Sequence, residues 1–77
     1  MKIKLKISNS LLTIYKNLEE EKNIIIEGKK TIREILHSIG VNPLLTPIVL
    51  IDNQKVSMEY EISKDIEITL IGPLMGG

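Results

Sequence analysis

The chain is 77 residues long, enough for one domain with a small core, and with neither Phe nor Trp that core must be aliphatic, mostly Ile and Leu. Ten basic and ten acidic residues cancel to a formal net charge of zero, which argues against nucleic acid as the main partner, since phosphate binding draws on a basic surplus. No cysteine is present, which excludes a disulfide framework, a thiol nucleophile, Cys-ligated zinc and an iron–sulfur cluster and fits a reducing, cytoplasmic setting.

Residues 2–7 alternate Lys2, Lys4, Lys6 with Ile3, Leu5, Ile7. Period two of this kind predicts a half-buried strand. The same alternation leaves no unbroken apolar stretch for a secretory signal, and no run approaches the ~18 apolar residues of a membrane span. Ser8-Asn9-Ser10 is turn chemistry. Residues 11–18, with Leu11, Leu12, Ile14, Tyr15 and Leu18, fit either a short helix or the rising arm of a hairpin. Glu19-Glu20-Glu21-Lys22 reads as a solvated charge run, and Ile24-Ile25-Ile26 predicts a strand over 23–27 that Gly28 ends.

Thr31-Ile32-Arg33-Glu34 is a capping box: Thr31 can accept from the first-turn amides, and Glu34 can reach back to the cap. Ile32, Ile35, Leu36 and Ile39 fall on one helical face, and Gly40 stands where a left-handed residue is wanted. This predicts one amphipathic helix over 32–39. Pro43 and Pro47 bracket a loop, Ile48-Val49-Leu50-Ile51 is an apolar strand, Asp52-Asn53-Gln54 a turn, and Lys55-Val56 a short return strand. Residues 57–65 read as irregular. The final strand, 66–71, carries Ile66, Ile68 and Leu70 on one face and Glu67, Thr69 and Ile71 on the other, and Gly72-Pro73 stops regular structure.

Two strands, a crossover helix and a return to the sheet define an α+β domain: a mixed four- to five-stranded sheet with one main helix on one face. This is the order of the ubiquitin-like β-grasp, in which the first and last strands are neighbours. That placement brings Lys2, Lys4 and Lys6 near Glu67 and Thr69. It bears on the charge distribution, because residues 1–30 hold seven Lys against four Glu, and residues 31–77 three basic against six acidic groups. Two faces that neutralise each other account for this; so does an oriented field that guides a partner.

Catalytic signatures are sparse. His37 is the only histidine and lies off the helix's apolar stripe, which reads as a solvent-facing position. Glu59 and Glu61 could pair on one strand face, but the sequence offers them neither a pocket nor a base partner. A small aliphatic domain also leaves little room for a ligand cavity.

The tail, Gly72-Pro73-Leu74-Met75-Gly76-Gly77, has a chemical rationale. A terminal carboxylate reacts only once activated, for example as an acyl-adenylate, and must be threaded into another protein's active site to be so. Glycine lacks Cβ, so Gly76 and Gly77 can pass a narrow channel. Pro73 stiffens the base of the tail, and Leu74 and Met75 are apolar where a frayed end would be polar, as anchors for a partner groove would be. The expected division is a domain over 1–71 and a flexible tail over 72–77.

With these residues the chain resembles the small sulfur carriers of molybdopterin and thiamine biosynthesis, the MoaD/ThiS type. The resemblance runs through residues 30–36, 48–56 and above all 65–77, which are similar to that family's helix start, central strand-turn-strand, and last strand with tail. It implies a cycle. An E1-like adenylyltransferase of the MoeB/ThiF kind uses ATP to adenylate the Gly77 carboxylate, and a sulfur donor converts this to a thiocarboxylate. The thiocarboxylate then gives up its sulfur inside a second partner. Gly77 is the reacting residue, Gly72, Pro73, Leu74, Met75 and Gly76 are partner-binding, and no metal or bound cofactor is implied. The chain would not be catalytic alone. Pro73 favours the molybdopterin branch, with the chain as the small subunit of molybdopterin synthase beside its large subunit. The sequence departs from the family's pattern at residues 8–22 and at Gly72, where a second proline is common. The alternatives are the thiamine-branch carrier, which serves a thiazole synthase, a ubiquitin-like modifier joined through Gly77 to protein lysines, and a plain interaction module.

Overall fold

A computed structural model of the chain describes residues 1–46 and 48–72. Strand β1 (Lys2–Ile7) is followed by a short helix α1 (Asn9–Ile14), strands β2 (Glu21–Ile25) and β3 (Lys30–Thr31), and helix α2 (Ile32–Ser38). A 3₁₀ turn at Pro43–Leu45 leads to β4 (Ile48–Ile51), β5 (Gln54–Lys55), β6 (Glu61–Ile62) and β7 (Ile66–Ile71). The main sheet has five strands in the order β2-β1-β7-β4-β5. β1 and β7 run parallel and the other pairs antiparallel, so the sheet is mixed, with the first and last strands adjacent as expected.

Alternation decides the sheet's faces. Ile3, Leu5 and Ile7 of β1, Ile68 and Leu70 of β7, and Val49 and Ile51 of β4 are all buried. They meet Ile32, Ile35 and Leu36, the apolar stripe of α2, in one aliphatic core. Each such side chain contributes roughly 1.5–3 kcal/mol by leaving water. The capping box forms as read: Glu34 N–H donates to Thr31 Oγ1 at 3.1 Å, and Thr31 N–H donates to Glu34 Oε1 at 3.0 Å. Helix α2 closes one residue earlier than the periodicity predicts. Ile39 is its C-cap, and Gly40 takes a left-handed φ of 79°. Asp52 and Asn53, with φ of 53° and 63°, form the two-residue link between β4 and β5, the backbone sense that matches a hairpin's twist.

One open alternative is decided by the structure, and three segments depart from the sequence reading. Residues 11–18 hold the end of a helix, not a hairpin arm; α1 occupies 9–14 and buries Leu11, and Tyr15 accepts a hydrogen bond from Asn42 N–H at 2.8 Å. Glu21 belongs to β2 instead of a free charge run, because an edge strand tolerates a charge on its solvent side and Lys4 pairs with it at 3.4 Å. The second strand accordingly covers 21–25, with Ile25 78% exposed. Within 57–65, β6 pairs with β3 through Lys30↔Ile62 and Thr31↔Glu61, and Ile62 is buried. The return strand is Gln54–Lys55, set one residue earlier than Lys55-Val56.

The charge asymmetry is partly spent inside the sheet. Lys6 Nζ lies 2.9 Å from Glu67 Oε1. The Lys6 hydrogen bond holds the Glu67 carboxyl below its usual value, and Glu67 in turn raises Lys6. Both groups are about half exposed, so the pair adds little stability. Because the folded pKa of Glu67 is the lower one, its contribution is present above the unfolded value and fades as pH falls through the folded one. An NMR titration of the Glu67 side chain should place its midpoint below that of an ordinary glutamate. Lys6→Gln should move the midpoint up; an unmoved midpoint would remove the Lys6 hydrogen bond as its cause.

Candidate functional site

The tail expected to react follows Gly72, directly after β7. Of the residues expected at the site, Pro73, Leu74, Met75, Gly76 and Gly77 lie outside the described residues. Gly72 is described, and it is buried. Its N–H donates to Ser8 Oγ at 3.1 Å, and Ser8 Oγ lies 2.9 Å from Ser10 Oγ. The backbone is tied at the same point, since Ser8 N–H donates to the Leu70 carbonyl at 3.0 Å. A Cβ on residue 72 would come to 2.9 Å from both Leu11 Cγ and Ser10 Oγ. Any larger residue here would push on the Leu11 or Ser10 side chain, and a proline at this position would lack the N–H that Ser8 accepts.

Beside this root the outer face of the sheet carries apolar groups. Ile48 of β4 stands opposite Ile71 of β7, and Leu50 stands opposite Thr69. Residues opposite one another share a face, so Ile48, Leu50 and Ile71 form a half-buried patch on the side away from α2. Toward β1 and β2 this face turns charged, with Lys4, Lys6, Glu21 and Glu67. The sequence reading marked Ile48-Val49-Leu50-Ile51 as apolar throughout, which hid which side chains face out; only the register with β7 shows it.

The other sequence candidates are placed elsewhere. His37 is exposed on α2. Glu59 binds Arg33 through Nε at 3.1 Å and Nη2 at 2.8 Å, while Glu61 sits in β6 beside Thr31. The two glutamates are thus not a carboxylate pair. An open groove of about 1060 Å³ runs between β2 and α2, with Ile24, Ile26, Ile35 and Ile39 in its wall and charged groups at its rim. The sequence reading anticipated little room for a ligand, and this surface groove departs from it. Among the described residues no three His, Asp or Glu side chains gather to hold a metal ion, and no helix is long and apolar enough to cross a membrane.

Comparison with known proteins separates fold from family. No family model matches the chain, and no curated protein matches it. The crystal structure of SAMP1 from Haloferax volcanii does, with a TM-score of 0.73 over 100% of both chains at 16% sequence identity. The fold is the ubiquitin-like β-grasp. At this identity the likeness carries architecture alone, and it bears out the fold expected from element order. In this β-grasp the apolar patch and the root of the tail lie side by side at the end of β7. A partner that covers Ile48, Leu50 and Ile71 would therefore meet the tail as it leaves the sheet.

Proposed function

We propose that this chain is a sulfur carrier, activated at Gly77 and acting in molybdopterin synthesis. The observation that carries the reading is the pairing of a Gly76-Gly77 tail with a β-grasp whose outer face has an apolar patch next to the tail's root. An activating partner joins the Gly77 carboxylate to AMP, using ATP and releasing pyrophosphate. A sulfur nucleophile at the oxidation level of hydrosulfide displaces AMP, so a C–S bond replaces a C–O bond. The resulting thiocarboxylate is the sulfur source for an acceptor enzyme, the large subunit of molybdopterin synthase. This chain's own residues supply the carbonyl carbon, a tail that can be threaded, and a surface for docking; the acid–base chemistry belongs to the partners.

Intact-mass measurement of the protein from its own cells tests this. Exchange of oxygen for sulfur adds about 16 Da, and the gain should be lost on treatment that hydrolyses a thiocarboxylate. Covalent adducts on the lysines of other proteins would instead make the chain a modifier. Co-purification with a thiazole synthase would move it to the thiamine branch.

The docking surface has its own test. Leu50→Asp places a charge in the patch while leaving the buried side chains untouched. Activation by the partner enzyme should show KM raised about tenfold or more, the cost of losing 1.4 kcal/mol or more of apolar contact. The melting temperature should change little, since Leu50 is only partly buried on that face. A KM within twofold of the original would exclude this face as the docking surface.

A further inference from the structure

The geometry points to Ser8, Ser10 and Leu11 as a clamp that fixes where and in which direction the tail leaves the sheet, with Ser8 as its positioning residue and glycine obligatory at 72. The inference rests on the reading of the tail as the reactive end and assigns a role to residues that the sulfur-transfer chemistry itself does not involve.

Ser8 is at the N-cap of α1, where a serine ordinarily turns its hydroxyl onto its own helix. Here its side chain makes no cap hydrogen bond. The hydroxyl instead accepts from Gly72 N–H, 64 residues away in sequence. A hydroxyl has one donor and two acceptor sites, so Ser8 Oγ can accept from Gly72 and still share a proton with Ser10 Oγ at 2.9 Å. The backbone of Ser8 makes a second tie, through its N–H to the carbonyl of Leu70. Residues 70 and 72 are thus both held by one residue. Leu11 closes the third side: it is fully buried, and its Cγ and Cδ2 would stand 2.9 and 3.1 Å from a Cβ on residue 72, so one of them must give way. Ser10 Oγ closes against the same position at 2.9 Å.

The consequence for activation is geometric. Five residues follow Gly72 and span at most ~17 Å when extended. With the root fixed, the Gly77 carboxylate explores only what those five residues permit. With the root loose, the last strand's end adds its own freedom, and the carboxylate reaches the activating site in the productive orientation less often. Misplacement of a reacting group by as little as an ångström costs about a hundredfold in rate at the extreme. Because Ser8, Ser10 and Leu11 are not residues of the apolar patch on the outer face, docking should change little, and the loss should appear in kcat.

Two measurements test the clamp, one of which does not depend on activity. Hydrogen exchange by NMR should show the Gly72 amide accelerated about tenfold or more in Ser8→Ala, with Ile68 unchanged and with protection retained in Ser8→Thr. ATP–pyrophosphate exchange, with the activating enzyme purified from the same cells, should show kcat lowered about tenfold in Ser8→Ala and at least as much in Gly72→Ala. KM should stay within twofold, and Ser8→Thr should restore kcat. An unchanged Gly72 exchange rate in Ser8→Ala would overturn the clamp. So would a Gly72→Ala variant whose kcat stays within twofold. If the unaltered chain stimulates no ATP–pyrophosphate exchange, the functional reading of the tail fails, whereas the amide measurement still judges the contact. Should Gly72→Ala not fold, Ser8→Ala decides, since α1 loses no side-chain cap by it.

Discussion

Removal of Gly76 and Gly77 should abolish the gain of about 16 Da and every function that depends on it, while the domain stays folded. The chemical half of this follows from the tail. An acyl-adenylate forms on whichever carboxylate reaches the activating site, and deletion leaves that carboxylate on Met75, two residues nearer the domain. The reach from Gly72 then drops by ~7 Å. On the proposed reading a methionine must also take the place of glycine in the partner's narrow channel. The structural half follows from the core. The buried residues of β1, β4, β7, α1 and α2 all precede residue 72, as does the Ser8 contact that ties the end of β7. Thermal unfolding should therefore shift by no more than about 2 °C, on the order of a few tenths of a kcal/mol. A truncated chain that keeps the mass gain, or that supports cofactor synthesis undiminished, would sink the carrier reading.

The parts of the molecule that could be read in advance are those whose signal is local. β1 and β7 show period two within six residues each. The start of α2 is written in Thr31 and Glu34, three residues apart, and its end in Gly40. Adjacency of β1 and β7 followed from element order, and with it the meeting of Lys6 with Glu67. What escaped is non-local or too short to have a period. β3 and β6 are two residues each and exist only because Lys30 and Thr31 find Ile62 and Glu61 across the fold. Helix α1 competes with an extended alternative in residues whose apolar pattern suits both, and the tie of Ser8 to Gly72 and Leu70 anchors the start of this segment. The site divides the same way. Gly76-Gly77, the proposed reactive end, stands out in the sequence. The surroundings of its root are not: Ser8-Asn9-Ser10 looks like an ordinary turn, and Gly72 looks like a chain-stopping residue beside a proline. Only the fold brings them within 3.1 Å. The outer patch was hidden for a related reason, since a strand of four apolar residues has no polar alternation to say which side faces water.

The largest expected effect on stability is at Ile68. This residue is fully buried in β7, between β1 and β4 in the sheet order, and its register partner on β1 is Leu5, also fully buried. Ile68→Ala removes apolar contact on both sides and leaves a cavity that two strands cannot collapse to fill, because each is held by its own ladder. Such truncations cost about 2–5 kcal/mol. A domain of this length has a total stability on the order of 4–12 kcal/mol, so the loss runs from about a sixth to the whole of what holds it together. The melting temperature should fall by roughly 10–30 °C, measured by circular dichroism. Thr69→Ala, one residue on and facing the outer side, should shift it by no more than about 4 °C. The contrast tests the assigned faces more sharply than either value alone: a register slipped by one residue would exchange the two side chains between core and solvent, and the two variants would exchange their effects with it. The same strand carries the tail, so a slip would also move Gly72 away from Ser8. Equal shifts for Ile68→Ala and Thr69→Ala, or a larger one for Thr69→Ala, would therefore undo both the core as described and the clamp at the root of the tail.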